Sequence, residues 1–172
     1  MRAPSPRCAL RWRAGYLGSL GRMPLKFEGI VRFRSSASPL VGPPGETQIL
    51  ALNPERATRI LTSTGWDRLE PGSLNLEVPH TVIDALATLI PQLVEDAATI
   101  SYPPPYEHIP SIRKAYWYYR AIAKAPGRRA SVLVRRAQVP VLGTVELFAP
   151  LHLVRALSLS ASSKVRVEVH AP

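Results

Sequence analysis

Turn-forming residues cut this chain into short pieces, and most of the pieces between them alternate apolar and polar residues. The last is the cleanest: in "KVRVEVH", residues 164–170, the period of two is strict, which predicts a strand with one buried face. "LKFEGIVRF", residues 25–33, reads as another strand, with Leu25, Phe27, Gly29, Val31 and Phe33 on one side. Further strands are predicted at "TQILAL", "SLNLEV", "ASVLVRR" and "GTVELFA". "KAYWYYRAIA" is open to strand or helix; its aromatic crowding and the "APGRR" turn that follows favour a strand and a hairpin. Helical signals are fewer. Asn53-Pro54 opens "PERATRILTSTG" as N-cap and first helical residue, and Gly65 stops it. "TVIDALATLIPQLV" starts as a helix that Pro91 must end or kink. Pro150 is expected to start a third helix in "PLHLVRALSL". "RSSASPLVGPPGE" and "YPPPYEHIP" read as loops. Many short strands and few helices predict a mainly β protein, a small closed or nearly closed barrel.

Composition then bounds the class. At 172 residues, 46% hydrophobic and 20% charged, the chain suits one globular domain. No apolar run reaches the ~20 residues of a membrane-spanning helix, so no membrane partner is expected. The one cysteine, Cys8, cannot form an internal disulfide, which fits a reducing compartment and makes cytoplasm the default. The net charge of +10 is unevenly spread. Residues 1–27 hold Arg2, Arg7, Arg11, Arg13, Arg22 and Lys26 and no acid. Of the 22 basic residues, 16 therefore face the 12 acids of the remainder, an excess of only four. Residues 1–24 are expected to be a basic leader, and 25–172 a single barrel domain. The leader resembles a transit peptide in composition; an unstructured arm, or translation begun upstream of a true first residue at Met23, accounts for it equally, and the last is preferred. Nucleic acid is accordingly an unlikely partner for the body.

One small turn carries chemistry. "PGSLN" puts Ser73 and Asn75 two residues apart, hence about 7 Å apart on one face of a strand, where both can meet a hard cation. A neutral pair binds magnesium weakly unless a nucleotide brings the negative charge. An ordinary turn, with both side chains satisfying nearby backbone, explains the same residues. Tyr116, Trp117, Tyr118 and Tyr119 sit beside Arg113, Lys114 and Arg120 and suit stacking on bases or a flavin, but more often such residues form a barrel wall. His80, His108, His152 and His170 lack the spacing of a zinc site.

Taken together, "FEGIVRF", "EPGSLNLEV" and "GTVELFAPLHLVRALSLSASSKVRVEV" resemble the archaeal-type CTP-dependent riboflavin kinases over roughly residues 25–170. That family has a G-T-L-N turn, then an E-x-x-A-P segment, a leucine-containing helix and a final strand. The resemblance implies a cradle-loop barrel that transfers a phosphoryl group from CTP to riboflavin with Mg²⁺, giving FMN. It implies magnesium ligation by Ser73 and Asn75, and flavin contact and a catalytic role for Glu146. Glu146 would orient the flavin or take the hydroxyl proton; on residues alone it reads as a carboxylate paired with an arginine. Nucleotide contact is implied for Leu153 and Arg155, the latter one place later than the family's arginine. The family's S-G-x-G-E-G phosphate loop corresponds to "RFRSSASPLVGPPGETQI". Gly45 and Glu46 keep part of it, while Pro43 and Pro44 remove two amide donors that Arg32 and Arg34 would have to replace by charge. Gln138 stands near a flavin-contacting threonine of the family. A barrel that binds flavin or nucleotide without catalysis, and a basic nucleic-acid-binding module, are the alternatives. Oligomeric state is not readable.

Overall fold

The computed structural model describes residues 24–33, 54–100, 112–137 and 143–170. The expected strand "TQILAL", the leader, both long loops, Cys8, Arg34, Gly45, Glu46, His108 and Gln138 lie outside them. Ten elements follow in order: β1 (Leu25–Arg32), α1 (Pro54–Thr64), β2 (Leu74–Glu77), α2 (His80–Ala87), β3 (Leu93–Ile100), β4 (Ile112–Ala125), β5 (Arg128–Ala137), β6 (Thr144–Phe148), α3 (Leu153–Ala156) and β7 (Lys164–Val169).

The strands form one sheet in the order β3-β4-β5-β6-β2-β1-β7, and a β4–β7 pairing closes six of them into an antiparallel barrel. β3 is the extra strand. β4 makes this possible by its length of 14 residues. Its first half pairs with β3 (Leu93↔Tyr118, Val94↔Trp117), and its second half with β7 (Ala121↔Val169 to Lys124↔Arg166). The barrel interior is the face that alternation picks out: Phe27, Val31, Leu74, Leu76, Val132, Val134, Val145, Leu147, Val165 and Val167 are buried together. Each such side chain contributes about 1.5–3 kcal/mol relative to exposure. Gly29 fits this face for a steric reason. A Cβ there would lie 2.9 Å from Leu76 Cβ, so only glycine lets β1 and β2 approach so closely.

A second, smaller core lies on the opposite face. Ile60 of α1 packs there against Tyr118, Leu133 and Phe148, flanked by Ala57, Trp66, Leu69, Leu93 and Tyr116. The helix covering it ends as the sequence predicts: Gly65 has φ +71° and donates its amide to Leu61 O at 2.8 Å.

Three expectations need correction. β3 was not foreseen, because "LVEDAATI" has charged residues at mid-strand and a register shift between Glu95 and Ala98. The third helix does not start at Pro150. It covers only Leu153–Ala156, capped by the His152 imidazole, which accepts from the Arg155 amide at 3.5 Å. It ends before Ser158, whose φ is +52°. Phe33, expected on the buried face of β1, follows the strand's last residue and is 49% exposed. The "YWYY" run does form barrel wall: Tyr118 and Tyr119 are buried on opposite faces of β4, with Tyr116 and Trp117 half-buried beside them.

Candidate functional site

On antiparallel strands, residues directly opposite one another share a face. The register therefore draws one row across five strands on the outside of the barrel: Arg32, Asn75, Glu146, Arg135 and Tyr118. The row passes from water into protein. Arg32 is exposed, Asn75 and Glu146 are half-buried, and Arg135 and Tyr118 are buried.

Ser73 joins this row at its middle. It precedes β2 by one residue and so falls on the same side as Asn75, directly after Gly72, whose φ of +134° no other residue adopts easily. Its hydroxyl donates to Glu146 Oε2 at 3.0 Å. The Arg135 guanidinium also donates to that oxygen, in a short contact. Arg135 is held in turn by aromatic rings, with its guanidinium carbon 4.4 Å from the centroid of Tyr116 and 4.9 Å from that of Phe148. A half-buried carboxylate thus meets one hydroxyl and one guanidinium, with Asn75 as its cross-strand neighbour.

Behind this group, under α1, lies a denser set of charges. Arg56 Nε is 2.9 Å from Glu95 Oε2, and Arg59 Nη2 is 3.1 Å from Glu95 Oε1. The Tyr118 hydroxyl donates to Glu95 Oε2 at 2.9 Å and accepts from Arg56 Nη2 at 3.0 Å. Burial pushes the Tyr118 phenol well above its ordinary value; Arg56 and Arg135 pull it down, and Glu95 pushes it up again. Two cations on α1 and one carboxylate on β3 therefore tie the helix to the sheet beside Arg135.

Of the residues singled out in the sequence, Ser73, Asn75 and Glu146 come together, although Ser73 and Glu146 are 73 positions apart. Ser73 turns to the carboxylate, and Glu146 pairs with an arginine that is itself buried. The A-P step lies against the approach to the same turn: the Glu70 amide donates to Ala149 O, and Arg68 Nε to Pro150 O, both at 2.9 Å. Leu153 packs into the barrel core, leaving only its backbone for a nucleotide, while Arg155 is exposed on α3. Arg135, Arg56 and Glu95 escaped the sequence reading. The one available signal was "VLVRR", in which two arginines in succession must take opposite faces.

Ser73 Oγ and the Asn75 amide oxygen are hard oxygen donors of the kind magnesium takes, and both lie on one face of β2, so these two residues fit that ion. Among the described residues, no group of three or more His, Cys, Asp and Glu is placed to hold a metal. No helix among them is long and apolar enough to cross a membrane. Compared with known proteins, the chain matches no family model and no curated protein sequence.

Proposed function

We propose that this protein is a phosphotransferase of the riboflavin-kinase type. It moves the γ-phosphoryl group of a nucleoside triphosphate, CTP by resemblance, to the primary hydroxyl of riboflavin's ribityl chain. The hydroxyl oxygen forms the new P–O bond, the bond to the β-phosphate breaks, and the hydroxyl proton is lost to a nearby base. The observation that carries this reading is the convergence of Ser73 and Asn75, at β2, with Glu146 of β6 on one half-buried patch. Ser73 and Asn75 would hold Mg²⁺, which supplies neutralisation of the phosphate charge. Glu146 would face the flavin, as orienting group or proton acceptor. The contact with Arg135 fixes its carboxylate in place. Leu153 and Arg155, with Gly45 and Glu46, would line the nucleotide.

Pro43 and Pro44 favour a second reading, a barrel that binds flavin or nucleotide without transferring phosphate, since they remove amides from the corresponding loop. Incubating the full chain with riboflavin, Mg²⁺ and either CTP or ATP, then separating flavins by chromatography, distinguishes the two. FMN formed with one nucleotide supports the kinase and names the donor. Riboflavin binding without FMN supports the second reading. Neither product nor binding rejects both. Asn75→Ala is expected to abolish magnesium-dependent nucleotide binding in a chain that remains folded; unchanged binding would remove Asn75 from the ion site.

A further inference from the structure

Arg135 and Arg136 point to opposite faces of β5, and only the first has been accounted for. Arg136 lies on the interior face with Val132 and Val134, directly opposite Trp117 of β4. It is 7% exposed, and its guanidinium carbon stands 4.8 Å from the Trp117 ring centroid. Nε and Nη1 are fully buried and have no hydrogen-bond partner among the described residues. The Tyr119 hydroxyl is in the same condition. Tyr119 opposes Val134, so it is the diagonal neighbour of Arg136 on the same face. Burial raises the Tyr119 phenol above its ordinary value, and Arg136, by its charge and by the closeness of its side chain to the hydroxyl, works against that rise.

Buried guanidinium and phenol groups are nearly always satisfied, because stripping a cation of water is far costlier than stacking on a ring recovers. Three buried donor atoms on two neighbouring side chains therefore call for an acceptor. Among the described residues β5 and β6 pair from Leu133↔Phe148 to Arg135↔Glu146, so Arg136 directly follows the last paired residue of β5. On the other side of Trp117, its partner Val94 is 49% exposed. Arg136, Tyr119 and Trp117 thus make one cationic, aromatic stretch of the interior face.

We propose that Arg136 and Tyr119, with Trp117 as wall, form a binding site for an oxyanion, a phosphate or carboxylate group of a small ligand. Guanidinium donors complement either group, and the phenol supplies a further donor. The site is on the face opposite to Glu146 and does not depend on the kinase reading. The test follows the Nε–Hε resonance of Arg136 in the full chain by NMR, assigned by its loss in Arg136→Lys. Inorganic phosphate and acetate are titrated in separate arms, against chloride at matched ionic strength. A saturable shift with phosphate or acetate, absent with chloride, is expected, and the stronger arm identifies the anion class. Tyr119→Phe should weaken that binding roughly tenfold, as loss of one hydrogen bond to a charged group does. Ser73→Ala/Asn75→Ala should leave it unchanged. No saturable shift in the wild-type chain overturns the proposal, as does an equal shift with chloride. Loss of the shift in the Ser73→Ala/Asn75→Ala variant would also overturn it as a separate site.

Discussion

The two cores of this protein are built from different materials. Inside the barrel, Val31, Leu74, Leu76, Val145, Leu147, Val165 and Val167 meet as aliphatic side chains on alternate positions of successive strands. Outside it, the layer beneath α1 mixes Ile60, Leu133 and Phe148 with Arg56, Glu95, Arg135 and the Tyr118 hydroxyl. The interior is held together by shape and volume, with the Arg136 guanidinium and the Tyr119 hydroxyl as the buried polar groups on that face. The outer layer needs charges to meet in pairs, and buried pairs are specific at some cost in stability. The candidate site lies at the edge of the second layer, where Arg135 reaches the half-buried Glu146.

This contrast can be broken from either side. Glu95→Ala should give the largest effect, about 3–5 kcal/mol, because it leaves Arg56 buried without its counterion. Leu76→Ala, inside the barrel, should cost a comparable amount, about 2–5 kcal/mol, by cavity formation alone. The two differ in what restores stability. Adding Arg56→Met to Glu95→Ala should recover much of the loss, whereas no second change at Arg56 should help Leu76→Ala. Denaturant unfolding of these four variants and of Arg56→Met alone measures both, and strict additivity in the first pair would count against a coupled outer core.

A smaller effect sharpens the same comparison through pH. The Tyr118 phenol is raised in the folded protein, chiefly by burial. Its contribution to stability is therefore complete below the unfolded tyrosine value near 10, and is lost as pH rises above it. Tyr118→Phe should destabilise the protein by about 1–3 kcal/mol at neutral pH through the Arg56 and Glu95 partners it leaves. The variant should also lose less stability than the wild type between neutral and strongly alkaline pH. Thermal melts across that range would show it; parallel curves would mean that Tyr118 does not carry the alkaline sensitivity.

The smallest expected change is at the site itself. Ser73→Ala removes one hydrogen bond to a half-buried carboxylate that keeps Arg135, so its stability cost should be about 1 kcal/mol or less. Magnesium-dependent nucleotide binding should fall much more than stability does. Equal losses of both, read by calorimetry and denaturant unfolding, would make Ser73 a structural residue.

The interior was legible in the sequence because a period of two needs no partner to be recognised. "KVRVEV" and "SLNLEV" declare their buried faces locally, and the hairpin at Gly127, with φ +67°, is marked by its turn residue. The outer core was not legible. Arg56, Glu95 and Arg135 read as solvated charges until the register brings β3, β4, β5 and α1 together. β3 was hidden for the same reason, since a buried glutamate in a strand makes sense only beside the arginines that neutralise it. Ser73, Asn75 and Glu146 fall between these cases. Their residue types and order suggested a common place; the β2–β6 register gives the contact.

β3 has another consequence. Closure through β4 and β7 satisfies the ring without it, so among the described residues β3 is bonded along one side only. A flank of that kind invites a strand from another molecule to add on. Here the extra residues between Glu95 and Ala98 disturb the ladder, and Glu95 and Asp96 bring acid to the same stretch. The irregularity that hid this strand from a pattern search also makes it a poor template for self-association.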